Sequence, residues 1–303
     1  MVGGTTGSTS PVLEEDARAK VNLTLRVIGR RVDGYHDLES VVAFADCADR
    51  LTLDAGGDLS LTATGPRAQE CGDTADNLVI KAARLLGERV EGLTFGRFAL
   101  DKHLPVAAGI GGGSADAAAA LRLLVRANNL EMDDPRVLEV ARLTGADVPV
   151  CVPSHACVMT GVGENLLPLS IPRLPCVMVN PRVPVATKDV FKELGLKNGE
   201  LRAGVKDVLK RATWPNEGGS LDAWIDALNA GTNDLEAPAL KVEPVIDTVL
   251  SALRGAEGVR LARMSGSGAT CFALFGNDTD ARRAAGVIQL AHPLWWVHAG
   301  ALS

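Results

Sequence analysis

No two of the six cysteines, at 47, 71, 151, 157, 176 and 271, stand at C-x-x-C spacing. That argues against a zinc site or a disulfide framework and leaves small buried hydrophobes. The five histidines, at 36, 103, 155, 292 and 298, form no H-E-x-x-H or comparable pattern, so a transition-metal centre has no support, whereas magnesium, which takes few protein ligands, stays open. No lysine and arginine cluster offsets the formal charge of −6, which speaks against general binding to nucleic acid or to an anionic membrane. No apolar run approaches the roughly 20 residues that span a bilayer. Residues 1–16 (MVGGTTGSTSPVLEED) lack the basic start and apolar core of a signal peptide; we expect this stretch to be disordered and the location to be cytoplasmic. With 303 residues, 47% of them hydrophobic, the chain can fill the core of one large or two ordinary domains.

Glycine, by contrast, is abundant, and three of the 32 are consecutive in LPVAAGIGGGSADAAAAL at 104–121. Adjacent glycines lose the most backbone entropy on ordering and add nothing to a core, so close approach of another group is the reading that explains them. The alanines and leucines that follow are strong helix formers, with Ala117, Leu121 and Leu124 on one face. A helix N-terminus has unpaired N–H groups and a partial positive charge, so bare backbone leading into it suits a phosphate. The plainer alternative is a turn with Ser114 as N-cap. Asp116 suits the dipole but competes with a bound phosphate, which predicts that it faces away from the loop or towards a metal ion.

The rest of the chain alternates short strands and helices. AKVNLTLRVIGRR places Val21, Leu23, Leu25 and Val27 opposite polar partners, the pattern of a half-buried strand. DNLVIKAARLL reads as a helix capped by Asp76 or Asn77. PRVLEVARLTGADVPVCV reads as a helix stopped at Gly145 and then a strand. GVRLARM and ATCFALFG read as strands joined by SGSG, a turn that alone would be a hairpin. Strands and helices in segregated groups predict an α+β fold.

GIGGGS ends in serine where a dinucleotide fingerprint has glycine, and no lysine follows it as in a Walker loop. PVAAGIGGGSA instead resembles the second motif of the GHMP small-molecule kinases, while AKVNLTL and MSGSGAT resemble their first and third. A narrower branch, which acts on a cytidylyl methylerythritol in the non-mevalonate route to isoprenoid precursors, is resembled by AKVNL, RRVDGYHDLESV, DNLVIKAARLL, GADVPVCV, GVGE and SGSGATC. No motif of that resemblance falls within 195–230.

The resemblance implies a two-domain fold: an N-terminal nucleotide-binding domain like the second domain of ribosomal protein S5 over 1–158, and a ferredoxin-like substrate domain over 159–303, whose last strand can return to the first. It implies phosphorylation of the 2-hydroxyl by ATP with Mg2+, with Asp147 as base and Lys20 as its partner. Alone, Asp147 would read as a turn carboxylate and Lys20 as a solvated strand end. The stretch Pro105, Val106, Ala107, Ala108, Gly109, Ile110, Gly111, Gly112, Gly113, Ser114 and Ala115 would hold ATP, with Asn77 near the adenine, although a helix cap explains Asn77 equally well. Tyr35, the only tyrosine, and Phe191 would sandwich the cytosine and His36 would bond its edge; Phe191 also fits a simple core role. Asn22, Gly266 and Ser267 would line the substrate. The implied partners are the small cytidylyl substrate and ATP, with no nucleic acid or membrane, in a monomer or homodimer. The competing readings are a GHMP kinase for homoserine, mevalonate or a sugar, and a nucleotide-binding protein without catalysis.

Overall fold

Alternation along three strands builds the first sheet. The computed structural model describes residues 12–202, 214–215 and 218–303. In it β1 (Leu13–Asn22) and β2 (Arg26–Arg30) both run antiparallel to the long β3 (His36–Ala55). Val42 and Phe44 of β3 point to one buried cluster, and Val41, Ala43 and Ala45 to another, as the period of two along a strand requires. β4 (Ser60–Thr64) lies parallel to β5 (Gly96–Asp101), which pairs with the far half of β3. β6 (Cys157–Gly161) and β7 (Asn165–Pro168) form a hairpin against its near half.

Helices α1 (Leu78–Gly87), α2 (Gly112–Ala127), α3 (Pro135–Thr144) and α4 (Val148–Cys151) contribute to the cluster on the Phe44 face. α2 is buried almost all round, with Ala115 and Ala117 through Leu121 all inside. Alanine suits that setting, because small side chains let a helix approach its neighbours closely on every side.

The second sheet contains β8 (Leu174–Asn180), β9 (Val259–Met264), β10 (Cys271–Phe275) and β11 (Trp296–Leu302), in the order β11-β8-β10-β9 and antiparallel throughout. On one face, α5 (Thr187–Leu194), α7 (Glu236–Val242), α8 (Val245–Arg254) and α9 (Asp278–Ala291) enclose Val177, Val179, Cys271 and Phe275. On the other, Cys176, Met178, Phe272 and Leu274 meet Val21, Leu23 and Ala43 of the first sheet, together with Trp224 of α6 (Leu221–Asn229). Each fully buried side chain of this size stabilises the fold by about 1.5–3 kcal/mol. The two sheets also join edge to edge, where Leu302 of β11 meets Ala45 of β3.

The structure revises several expectations. Leu13 to Asp16 pair with Leu53 to Arg50, so the strand begins inside the stretch expected to be disordered; residues 1–11 lie outside the described residues. The boundary at 158/159 cuts β6, whose partners β3 and β7 belong to the first sheet, so that sheet runs to Pro168. VPVCV is not a strand but begins with the short helix α4, where Pro149 fits the first turn and Asp147 stands at the N-cap. Within 195–230, Arg30 donates to the Glu200 carbonyl and Arg202 to that of Ile28, which aligns this segment with β2; residues 203–213 and 216–217 are outside the described set.

Candidate active site

A cleft of about 630 Å3 opens between the glycine loop, β1, α5 and the turn joining β9 to β10. Gly111, in the left-handed region at φ 63°, is the N-cap of α2 and supplies no capping side chain. The first N–H groups of the helix therefore lack intrahelical and capping partners. Ser114 sits inside the first turn rather than at the cap. Gly109 is needed for a second reason: at φ +75°, a Cβ there would lie 2.6 Å from the Ser265 carbonyl oxygen and 2.7 Å from that of Gly268. The two glycine turns thus pack backbone to backbone, helped by a bond of 3.0 Å from the Ser265 hydroxyl to the Gly109 carbonyl.

Beside the loop, where a Cβ on Gly111 would lie 3.2 Å from Lys20 Cε, Lys20 Nζ lies 3.1 Å from an Asp147 carboxylate oxygen and donates to Asn22 Oδ1 at 2.9 Å. Asn22 in turn donates through its amide to Ser40 at 2.7 Å, and through its backbone to Ser265 at 3.1 Å. Lys20, Asn22 and Thr24 are all buried, so the polar face of the predicted strand turns to the cleft and its surroundings instead of bulk water. The Lys20 side chain is 4% exposed and that of Asp147 39%. The ammonium lies beneath, and the carboxylate reaches the open space.

Known families match both halves of the chain. "GHMP kinases N terminal domain" matches residues 77–155 and "GHMP kinases C terminal" residues 208–291. A 4-diphosphocytidyl-2-C-methyl-D-erythritol kinase of Rhodopseudomonas palustris is 71% identical over 298 residues, covering 98% of this chain and all of that protein. One from Nitrobacter hamburgensis is 70% identical over the full length of both. This chain belongs to the 4-diphosphocytidyl-2-C-methyl-D-erythritol kinase family of GHMP kinases. A crystal structure of a kinase of that name, 33% identical, superposes with a TM-score of 0.72 over 96% of this chain and 99% of that one. A homoserine kinase from Cytophaga hutchinsonii, 19% identical, shares the fold at a TM-score of 0.70, covering 98% of this chain and 97% of its own. The α+β two-domain GHMP fold expected from the motifs is therefore the fold of this protein, and a kinase of this family takes its phosphoryl group from ATP. Among the described residues, no helix is long and apolar enough to cross a membrane.

Lys20, Asn22, Asp147, Phe191, Gly266, Ser267, Val106, Ala107, Ala108, Gly109, Gly111, Gly112, Gly113 and Ser114 all line the cleft. Pro105, Ile110 and Ala115 do not; they are buried, Ile110 and Ala115 in the two clusters flanking the first sheet. Ile110 acts through its carbonyl, which accepts from Lys20 N at 2.9 Å. Asn77 caps α1 by accepting from Val79 N at 2.9 Å, and the neighbouring Leu78 reaches the cleft instead.

The aromatic sandwich differs too. His36, not Tyr35, stacks on Phe191, with centroids 4.2 Å apart and planes at 19°. Residues next to each other at a strand start point to opposite sides, and Tyr35, 59% exposed, lines a separate hollow with Arg142 and Glu164. Phe191 borders the main cleft and a second cavity of about 540 Å3 that it shares with His36 and Arg30. His36 Nε2 is buried without a partner among the described residues, and burial, with Arg30 nearby, lowers the pKa of the ring. The imidazole is accordingly neutral near pH 7.

Residues with no motif signal complete the site. Thr187 lines the cleft and shares a hydrogen bond of 2.9 Å with Ser267. Under the glycine loop, Lys102 pairs with Asp49 at 2.6 Å and with Asp116, all three buried. Asp116 thus faces away from the loop, towards a lysine. Burial, and secondarily the Asp49 charge, push its pKa up to about 7 against the pull of Lys102. For Lys102, burial lowers the pKa, but the two carboxylates outweigh it and the net direction is up.

Proposed function

We propose that this chain transfers the γ-phosphoryl group of ATP to the 2-hydroxyl of 4-diphosphocytidyl-2-C-methyl-D-erythritol, releasing ADP and the 2-phosphorylated compound. The observation that carries the chemistry is the Lys20–Asp147 pair at 3.1 Å, set in one cleft beside the uncapped start of α2. Asp147 accepts the hydroxyl proton as the oxygen attacks phosphorus, and Lys20 holds the carboxylate in place. Backbone N–H groups between Gly109 and Ser114 bind the polyphosphate, aided by the helix dipole, and stabilise charge on the phosphoryl oxygens. Gly266 and Ser267 approach the phosphates of the acceptor from the other side. Phe191 and His36 supply a flat apolar surface and a neutral ring nitrogen for the cytosine.

Among the described residues, no three His, Cys, Asp or Glu side chains cluster as a metal cage. A magnesium ion brought by the nucleotide would find Asp147 as the carboxylate lining the cleft. Such an ion neutralises phosphate charge when bound. We read the enzyme as a cytoplasmic protein acting on small molecules.

A coupled ADP-release assay over the cytidylyl methylerythritol, homoserine, mevalonate and galactose tests this reading. We expect turnover with the first alone; preference for another acceptor, or none, removes it. Asp147→Asn should lower kcat by about 10²-fold or more without shifting the melting temperature, and turnover within a few-fold of the parent would take the base role away from Asp147.

A further inference from the structure

The phosphoryl-transfer reading leaves one buried charge cluster unused. Lys102, just after β5, is held between Asp49 of β3 and Asp116 of α2. The three side chains are 0–4% exposed and do not line the cleft. They nevertheless lie against the anion-binding turn, because a Cβ on Gly112 would sit 3.4 Å from Lys102 Nζ. One ammonium facing two carboxylates leaves a surplus negative charge when all are ionised. That surplus sits in the interior, next to backbone arranged to receive a polyanion.

The two carboxylates are not equivalent. Asp49 is saturated: Oδ1 accepts from the backbone N–H of His103 and Leu104 at 2.6 and 2.8 Å, and Oδ2 accepts from Lys102. Asp116 has one oxygen on Lys102, while its Oδ1 is buried with no partner among the described residues. A buried, half-satisfied carboxylate is costly when charged and less so when protonated. The titratable groups that feel this cluster from the surrounding elements are Cys71, ahead of α1, and Cys151 of α4, both thiols pushed up first by burial and in part by the Asp116 charge. Lys20 of β1 approaches the same turn at Gly111. Lys102 is the cation in contact.

We infer that Asp116 takes up a proton from solvent when a nucleotide polyphosphate settles on the glycine loop, so that nucleotide affinity is tied to the charge of the Asp49–Lys102–Asp116 cluster. The inference rests on the proposed nucleotide site. Several phosphate charges arriving over a low-dielectric interior raise the cost of the surplus carboxylate, and protonation removes it. The only bond formed is O–H on Asp116, with the proton drawn from the buffer. Asp116 is a positioning residue here: through Lys102 it ties the start of α2 to β3, and it touches no substrate. Burial already raises the pKa of Asp116 and disfavours its charged form, and the arriving phosphate charge pushes in the same direction.

The test is calorimetric titration of the whole chain with magnesium adenylyl imidodiphosphate at pH 7, in buffers of different ionisation enthalpy, for the parent, Asp116→Asn and Asp49→Asn. Either variant removes the surplus charge, so one suffices if the other fails to fold. The parent should take up about half a proton more than the variants. Its nucleotide affinity should weaken between pH 6 and 8 by up to about tenfold more than theirs. Equal proton counts and parallel pH profiles overturn the inference while leaving the nucleotide site intact. Absence of any nucleotide binding by the parent overturns the site and the inference together.

Discussion

Phe191 borders the second core on one side and the cleft on the other, stacked by His36. A base displacing or joining that stack would gain about 1–3 kcal/mol. Phe191→Ala should therefore weaken the cytidylyl substrate by roughly tenfold or more and leave KM for ATP within about twofold. Equal loss for both ligands would make Phe191 a packing residue only. Lys20, Asn22 and Asp147 could be found from the sequence because each stands at a fixed place in a motif. Tyr35 and Asn77 stand in motifs as well, yet neither lines the cleft; a motif orders residues along the chain but does not say to which side of the backbone each one points. Lys102 and Asp49 belong to no pattern at all, and only their approach in space joins them.

At the level of the element, the glycine loop serves two surfaces at once. Gly111 starts α2, and Gly109 lets the SGSG turn close on it. Gly109→Ala would force a left-handed alanine against two carbonyl oxygens, so we expect at least about 2 kcal/mol of destabilisation. A lowered midpoint in urea together with a raised KM for ATP would be the result; an unchanged midpoint would contradict the backbone packing. The helix after the glycines was legible from its alanines and their spacing. α4 was not, since VPVCV is short, apolar and without a period, and proline at its second position suits a helix start as well as a turn. The polar partners in AKVNLTL looked like a solvent face because alternation separates two sides without saying what covers each.

For the whole molecule, the decisive contact is the seam between the sheets. Asp46 of β3 accepts from Ala301 N at 2.9 Å and pairs with His298 Nε2 at 2.8 Å, both in β11. Removing a partly exposed carboxylate of this kind costs about 1 kcal/mol. Asp46→Ala should lower the thermal midpoint by a few degrees in circular dichroism, and no change would show the seam to be held by backbone pairing alone. The α+β class followed from the grouping of strands and helices. The division at 158 did not hold to the strand, because β6 looks like the start of a new unit in sequence while its hydrogen bonds go back to β3.

That seam joins positions 255 residues apart, and the Gly109 carbonyl of the glycine loop accepts from a turn 156 residues further on. During vectorial synthesis the first half emerges with the long middle strand and the glycine helix but without the turn that braces them. A nascent chain at that stage leaves a strand edge bare, open to pairing with another chain. A ligand that needs both glycine turns would bind the finished fold alone and so favour it by mass action.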